Sequence, residues 1–140
     1  MIRNLKNGDI ESIMELWVKI NISTHFFIKE DYWRGNFDRV REMMPNATIY
    51  IWEEDGVVQG FIGLINDYIA GIFISDLKQS KGIGSKLLNY IKKSNDNLSL
   101  KVYKKNIRAT QFYLKEGFNI VREEVDEDTG ETEFFMCWEE

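Results

Sequence analysis

A length of 140 residues with 44% hydrophobic and 14% aromatic content is that of one globular domain able to bury a core without metals or disulfides, and it excludes a disordered tail or a fibre. A formal net charge of -5 excludes a chain whose main work is coating nucleic acid or an anionic membrane, since both demand a positive surface. Cys137 is the single cysteine, so no internal disulfide forms, and the first residues lack the apolar core of a secretory signal or a spanning helix. The expectation is one cytoplasmic domain covering residues 1–140, monomeric or homodimeric, with no metal, nucleic acid or membrane as partner.

In chain order, "IRNLKNGD" predicts a short strand followed by Asp9 as a helix N-cap. Ile10, Ile13, Trp17 and Ile20 then recur at helical spacing, and Trp33, Phe37, Val40 and Met44 repeat the pattern in a second helix that stops near Pro45. The period changes in "ATIYIWEEDGVVQGFIGLI", two β-branched and aromatic strands joined by Asp55-Gly56, a pair suited to the positive φ angles of a tight hairpin. "YIAGIFI" follows Asn66-Asp67 as a third strand, and a helix from about Ile83 to Lys93 places Ile83, Leu87, Leu88 and Ile91 on one face. "NLSLKVY" alternates as a strand, Ile107 to Glu116 forms a helix ended by Gly117, and "FNIVREEV" with "TEFFMCWEE" closes a hairpin around Asp128-Thr129-Gly130. This order predicts an α+β (α/β) fold, a sheet covered by helices.

Between the third strand and its helix lies "QSKGIGSK", a loop suited to an anion, because helix-start N–H groups are unpaired and glycine lets a ligand approach the backbone. A triphosphate loop needs glycine, lysine and a hydroxyl residue at fixed spacing, and Leu87 stands where its second glycine belongs. A dinucleotide loop needs a small residue at the same position and a preceding βαβ unit, and both are missing. A plain strand-to-helix turn remains, as does a third pattern, Q-x-x-G-x-G, over Gln79, Ser80, Lys81, Gly82, Ile83 and Gly84.

On that pattern the chain resembles the GNAT superfamily of N-acetyltransferases. "NIRATQFYLKEGF", Asn106 to Phe118, is similar to the second half-site of that family, N-x-x-A-x-x-F-Y-x-x-x-G-F. "STHFFIKEDYW" and "FFMCWEE" further resemble the small bacterial acetyltransferases of the YiaC and YjaB type. The resemblance implies a mixed, mainly antiparallel sheet of about seven strands with about four flanking helices, and acetyl-CoA as co-substrate. It implies a pyrophosphate held by Gln79, Ser80, Lys81, Gly82, Ile83, Gly84, Ser85 and Lys86, and a bulge that splays the strand before the loop from its neighbour. The pantetheine arm then pairs with the exposed backbone near Phe73 and Ile74, and Asn106, Ala109 and Tyr113 complete the cofactor side. Many members carry arginine and glycine where Gln79 and Ser80 stand, so charge pairing at that position is expected to be weaker.

Acetyl transfer to an amine needs a neutral nitrogen, since lysine at pKa about 10.4 is almost wholly protonated at pH 7. It also needs a proton for the departing thiolate. The resemblance implies Tyr113 as general acid, with Phe112 as the core partner. No glutamate stands in "FIGLINDYIAGIFI", the strands where the family often carries its base. Tyr68, beside Asp67, is the expected channel residue, and His25, the one histidine, is a proton acceptor or else a packing or capping residue. His25, Phe26, Trp33 and Tyr68 form the expected acceptor side, while Trp17 and Phe37 are core. "REEVDEDTGETE" either attracts a cationic amine or is a solvated surface. Cys137 is expected to be buried. The expected activity is transfer to a protein lysine or N-terminal amine. Small amines such as amino acids, polyamines or antibiotics are the alternative acceptors, a non-catalytic acyl-CoA sensor is the rival class, and an acetyltransferase of charged tRNA is disfavoured by the acidic balance.

Overall fold

The computed structural model describes all 140 residues, Met1–Glu140. Strand β1 (Ile2–Asn4) precedes three helices, α1 (Ile10–Thr24), α2 (Glu30–Gly35) and α3 (Phe37–Met43). There follow β2 (Thr48–Glu54), β3 (Val57–Ile65), β4 (Tyr68–Ile74), α4 (Ile83–Lys92), β5 (Asn97–Tyr103), α5 (Ile107–Lys115), β6 (Asn119–Val125) and β7 (Thr132–Glu139). Five helices replace the four anticipated because the second predicted helix divides at Asn36. Its Nδ2 donates to the Tyr32 carbonyl at 2.7 Å and closes α2, while its own carbonyl accepts from Val40 and opens α3. Asp9 stands at the start of α1 but makes no bond to that helix. Its carboxylate accepts the Lys6 N–H at 2.8 Å and two bonds, 2.7 and 3.0 Å, from the Arg3 guanidinium, so it ties β1 to the turn that launches α1.

The seven strands form one sheet in the order β1-β2-β3-β4-β5-β7-β6, antiparallel throughout except between β4 and β5. Alternation along the strands sends side chains to two layers. On one face Ile62, Leu64, Ile69, Leu98, Leu100, Val102 and Met136 pack against Ile83, Leu87, Leu88 and Ile91 of α4 and against Tyr113 of α5. On the other, Ile49, Ile51 and Phe61 meet Ile13, Met14, Trp17, Ile28, Trp33 and Met44 from the N-terminal helices. Those helices cover β2 to β4 and reach only Tyr103 of β5, which leaves that face of β5, β7 and β6 without a helical layer. No helix is long and apolar enough to cross a membrane.

Two irregularities open the sheet. Gly63 pairs with Gly71 and Leu64 with Ile69, so Ala70 is an extra residue in β4 and the strand bends there, as a bulge makes it do. The parallel pairing of β4 with β5 stops after Tyr68–Ser99 and Ile69–Leu100. From Ala70 onward β4 has no ladder on that side. At about 3.3 Å per residue the free edge from Ala70 to Ile74 is about 13 Å long.

Candidate active site

The splay between β4 and β5 opens into a cleft of roughly 800 Å³ whose walls come from α1, β4, the loop before α4, β5 and α5. At its upper end the chain turns into α4 through Gly82, whose φ of 80° and ψ of 6° lie in the left-handed region where a side chain is unfavourable. The first backbone bond into the helix runs from the Lys86 N–H to the Gly82 carbonyl, so the amides of Gly82, Ile83, Gly84 and Ser85 lie free at the positive end of the helix dipole. Gly84 differs from Gly82: its φ is not positive, and a Cβ there would meet the Phe112 ring at 3.4 Å, an ordinary contact between α4 and α5.

Ser75 N–H donates to Gln59 on β3; by strand alternation the backbone groups of Ile74 and Ile72 therefore face the cleft, while those of Phe73 face β3. Gln79, expected at the pyrophosphate, uses its amide inside the chain. Its Nε2 donates to the Ile74 carbonyl at 3.0 Å, and its Oε1 accepts from Arg108 at 3.3 Å. Arg108 also donates to the Ser80 hydroxyl. This guanidinium from α5 brings beside the loop the charge that glutamine lacks, and it is a residue the sequence reading passed over. Phe73, Ile74, Gln79, Ser80, Gly82, Ile83, Gly84, Ser85, Asn106, Ala109 and Tyr113 all line the cleft. Lys81 and Lys86 do not; the Lys86 ammonium lies 5.3 Å from the Trp52 ring centre instead.

Tyr113 is the more buried member of the Phe112–Tyr113 pair, at 9% exposure within the main core, and Phe112 is the half-buried one. The aromatic assigned to chemistry is thus also the core residue. Its ring packs on Phe112 and Phe118, 5.2 and 5.7 Å between centres; its hydroxyl donates to and accepts from nothing in the chain and ends at the cleft. Desolvation, with Tyr68 adding to it, pushes the phenol above its ordinary pKa. The group therefore stays protonated near neutrality and can act as a donor. Tyr68, at the point where the strands part, is likewise pushed up, mainly by desolvation.

His25 follows α1 and lines the same cleft. Its ring lies 5.4 Å from Trp33, nearly parallel, and 5.0 Å from Tyr103, edge-on. Asn106 fixes its tautomer: Oδ1 accepts the Ala109 N–H at 3.2 Å, so Nδ2 faces His25 Nε2 at 3.3 Å. Nε2 therefore accepts and the proton sits on Nδ1, which is buried without a partner. Desolvation lowers the ring pKa to about 4. His25 is a packed neutral imidazole and a weak base.

The acceptor side is more polar than the sequence suggested. Trp33 and Tyr68 line the cleft with His25, but Phe26 lies outside it, 83% exposed. Lys101, Tyr103 and Glu133 line it instead. Of the acidic run near the C-terminus, Glu133 on β7 alone reaches the cleft, and β6 is a largely exposed edge. Cys137 is half-buried, its thiol pushed up chiefly by desolvation.

A family model described as an acetyltransferase (GNAT) domain matches residues 23–137. The chain is 34% identical, over 99% of its length and 96% of the relative's, to the peptidyl-lysine N-acetyltransferase YiaC of Escherichia coli strain K12. It is 29% identical to the peptidyl-lysine N-acetyltransferase YjaB of the same strain, over 90% of this chain and 87% of that one. Among solved structures it superposes on apo YjaB from Escherichia coli with a TM-score of 0.86 at 23% identity, covering 99% of this chain and 96% of the other. It superposes on the PaiA N-acetyltransferase of Thermoplasma acidophilum, solved with coenzyme A, with a TM-score of 0.81 at 21% identity, covering 100% and 98%. The split sheet, the free amides at the start of α4 and the sequence match agree: the chain belongs to the GNAT acetyltransferases, N-acetyltransferases that draw the acetyl group from acetyl-CoA.

Proposed function

We propose that this chain acetylates a primary amine, a protein lysine or an N-terminal amine, by direct attack within a ternary complex, with Tyr113 as general acid. The observation that carries this reading is the convergence of two features on one cleft: unpaired helix-start amides from Gly82 to Ser85 and an unbonded, protonated phenol at Tyr113. The first set suits a pyrophosphate, and Arg108 adds positive charge beside it. The backbone of Ile72 and the Ile74 N–H, beside the Ile74 carbonyl that Gln79 occupies, give the pantetheine amides a strand edge to pair with. When bound, acetyl-CoA supplies an activated acyl carbon and a thiolate leaving group. Tyr113 donates to that sulfur, and Tyr68, Trp33 and His25 wall the channel along which an amine approaches.

The protein-lysine acceptor is supported by the 34% identity to a relative named a peptidyl-lysine N-acetyltransferase. The test is thiol release from acetyl-CoA with lysine peptides and a panel of small amines, together with mass spectrometry of acetylated proteins. Wild type turns over the peptides, and Tyr113→Phe keeps acetyl-CoA affinity while turnover falls about 10²- to 10³-fold. A rate within threefold of wild type removes Tyr113 from the mechanism. Preference for small amines moves the acceptor to that class, and binding of acetyl-CoA without turnover of any amine leaves a sensor.

A further inference from the structure

Acetyl transfer needs a group that takes a proton from the incoming ammonium, and β3 and β4 offer no glutamate for it. Three side chains lining the cleft are proton acceptors in principle: His25, Glu116 and Glu133. His25 already accepts from Asn106 at Nε2 and is held neutral by burial. Glu116 accepts the Ser85 hydroxyl at 2.9 Å and sits at the opposite end, beneath the anion loop. Glu133 is left, and we propose that Glu133 is the base that receives the amine proton and, by its charge, selects a cationic acceptor.

Position and partners argue for it. Glu133 lies on β7 opposite Tyr103 of β5, on the face of the sheet that carries Tyr68, Ser99 and Lys101, at the edge of the N-terminal helical layer. Its side chain is only 13% exposed, yet its carboxylate accepts no hydrogen bond within the chain, and its one ionic neighbour, Lys101, is 3.9 Å away. Three nearby acids are engaged. Glu124 pairs with Lys101 at 3.2 Å and Arg122 at 3.3 Å, Asp126 accepts from Tyr103 at 3.0 Å and Thr129 at 2.9 Å, and Glu131 pairs with Lys105 at 3.1 Å. A mostly buried carboxylate without donors is one whose partner is missing, and an ammonium supplies both the charge and the donors.

The groups facing Glu133 are Lys101 and Tyr103 from β5, Glu124 from β6, Asp126 beyond it, Tyr68 from β4 and Tyr32 from α2. Desolvation first, then Asp126 and Glu124, push its carboxyl above the usual range, and Lys101 opposes them. A raised pKa makes a better base near neutrality. Tyr68 lines the same cleft as Glu133 and Tyr113.

Glu133 has this role only if the reaction is the acetyl transfer proposed above. The ammonium gives one proton to Glu133 and its nitrogen forms a bond to the acyl carbon. The carbon–sulfur bond then breaks with its electron pair on sulfur, which takes the Tyr113 proton. The second proton leaving nitrogen restores Tyr113, and Glu133 returns its proton to water.

The test is the pH dependence of kcat/KM for wild type and Glu133→Gln with two acceptors: a lysine peptide, and the same peptide bearing an aminooxy group, neutral at pH 7, in place of the amine. Wild type is nearly flat on lysine from pH 7 to 9. Glu133→Gln binds acetyl-CoA as wild type does, loses about 10²-fold on lysine at pH 7, regains about tenfold per pH unit as free amine accumulates, and acts on the aminooxy peptide at close to the wild-type rate. Glu131→Gln, which removes the same charge from the neighbouring turn, stays within twofold of wild type. A flat profile for Glu133→Gln, or equal loss on both acceptors, overturns the assignment. Wild type that turns over neither acceptor overturns the acetyl-transfer reading itself.

Discussion

The two glycines of the anion loop give opposite predictions, and the contrast tests whether backbone shape holds the cofactor. Gly82 has φ 80° with nothing within 4 Å of a would-be Cβ, so a substitution there meets no clash and acts through the backbone alone. An L-residue in that region costs about 1–2 kcal/mol. If the loop keeps its shape, Gly82→Ala lowers stability by that amount, about 2–8 °C in Tm for a domain of this size. If it relaxes, the amides of Gly82 to Ser85 lose their common direction and acetyl-CoA affinity falls by about 5- to 30-fold. Gly82→Asn is milder, because Asn tolerates left-handed angles. Gly84 has no positive φ, and an added Cβ lies at 3.4 Å from the Phe112 ring edge, an ordinary contact. Alanine there gains helix preference in the first turn of α4, so Gly84→Ala is neutral or slightly stabilising. Thermal unfolding and calorimetric titration with acetyl-CoA read both terms. Gly82→Ala with unchanged Tm and unchanged affinity, or equal losses at both glycines, refutes the reasoning.

Two further outcomes concern pH and stability. Asp9 is held below the usual carboxylate range, first by the Arg3 bonds, so its stabilisation is fully present above about 4 and is lost progressively as pH falls below that; Asp9→Asn costs about 2 kcal/mol at pH 7 in urea unfolding, and the gap to wild type narrows as pH is lowered below about 4. His25 runs the same way for a different reason: its folded pKa of about 4 lies below the usual histidine value of about 6.5. The neutral ring stabilises fully above pH 6.5 and ever less from there down to 4. Its ring protons titrate by NMR with a midpoint below 5, and a midpoint near 6.5 shows a solvated ring instead.

Most of the fold was legible because the period of the apolar residues changes where the elements change. The β2–β3 hairpin, the amphipathic face of α4 and the alternation of β5 each follow from local spacing. The anion loop and the Asn106–Phe118 segment were legible as a pair, since both sit at helix starts with sequence-local geometry. What local pattern does not carry is the partner on another element. Asn36 breaks a continuous apolar period because one side chain serves two helices. Ala70 becomes a bulge through β3, and Arg108 reaches the loop only once α5 lies against it.

The acidic run near the C-terminus shows why a correct local reading can still miss a site. Alternation in β7 turns Phe134, Met136 and Trp138 toward the core under α4 and α5 and leaves Glu133, Phe135 and Cys137 on the other face. That face reads as solvent, and for β6 it is solvent. The splay changes the meaning of the same parity at Glu133. Because β4 leaves β5 after Ile69 and the N-terminal helices stop at Tyr103, the outward face next to Tyr103 becomes the floor of a cleft. A carboxylate placed there by simple alternation is drawn out of water without being given a donor. Glu124 on β6 and Asp126 and Glu131 in the turn have cations or hydroxyls within the chain, whereas Glu133 has only the distant Lys101, and it is the one acid of the run that lines the cleft.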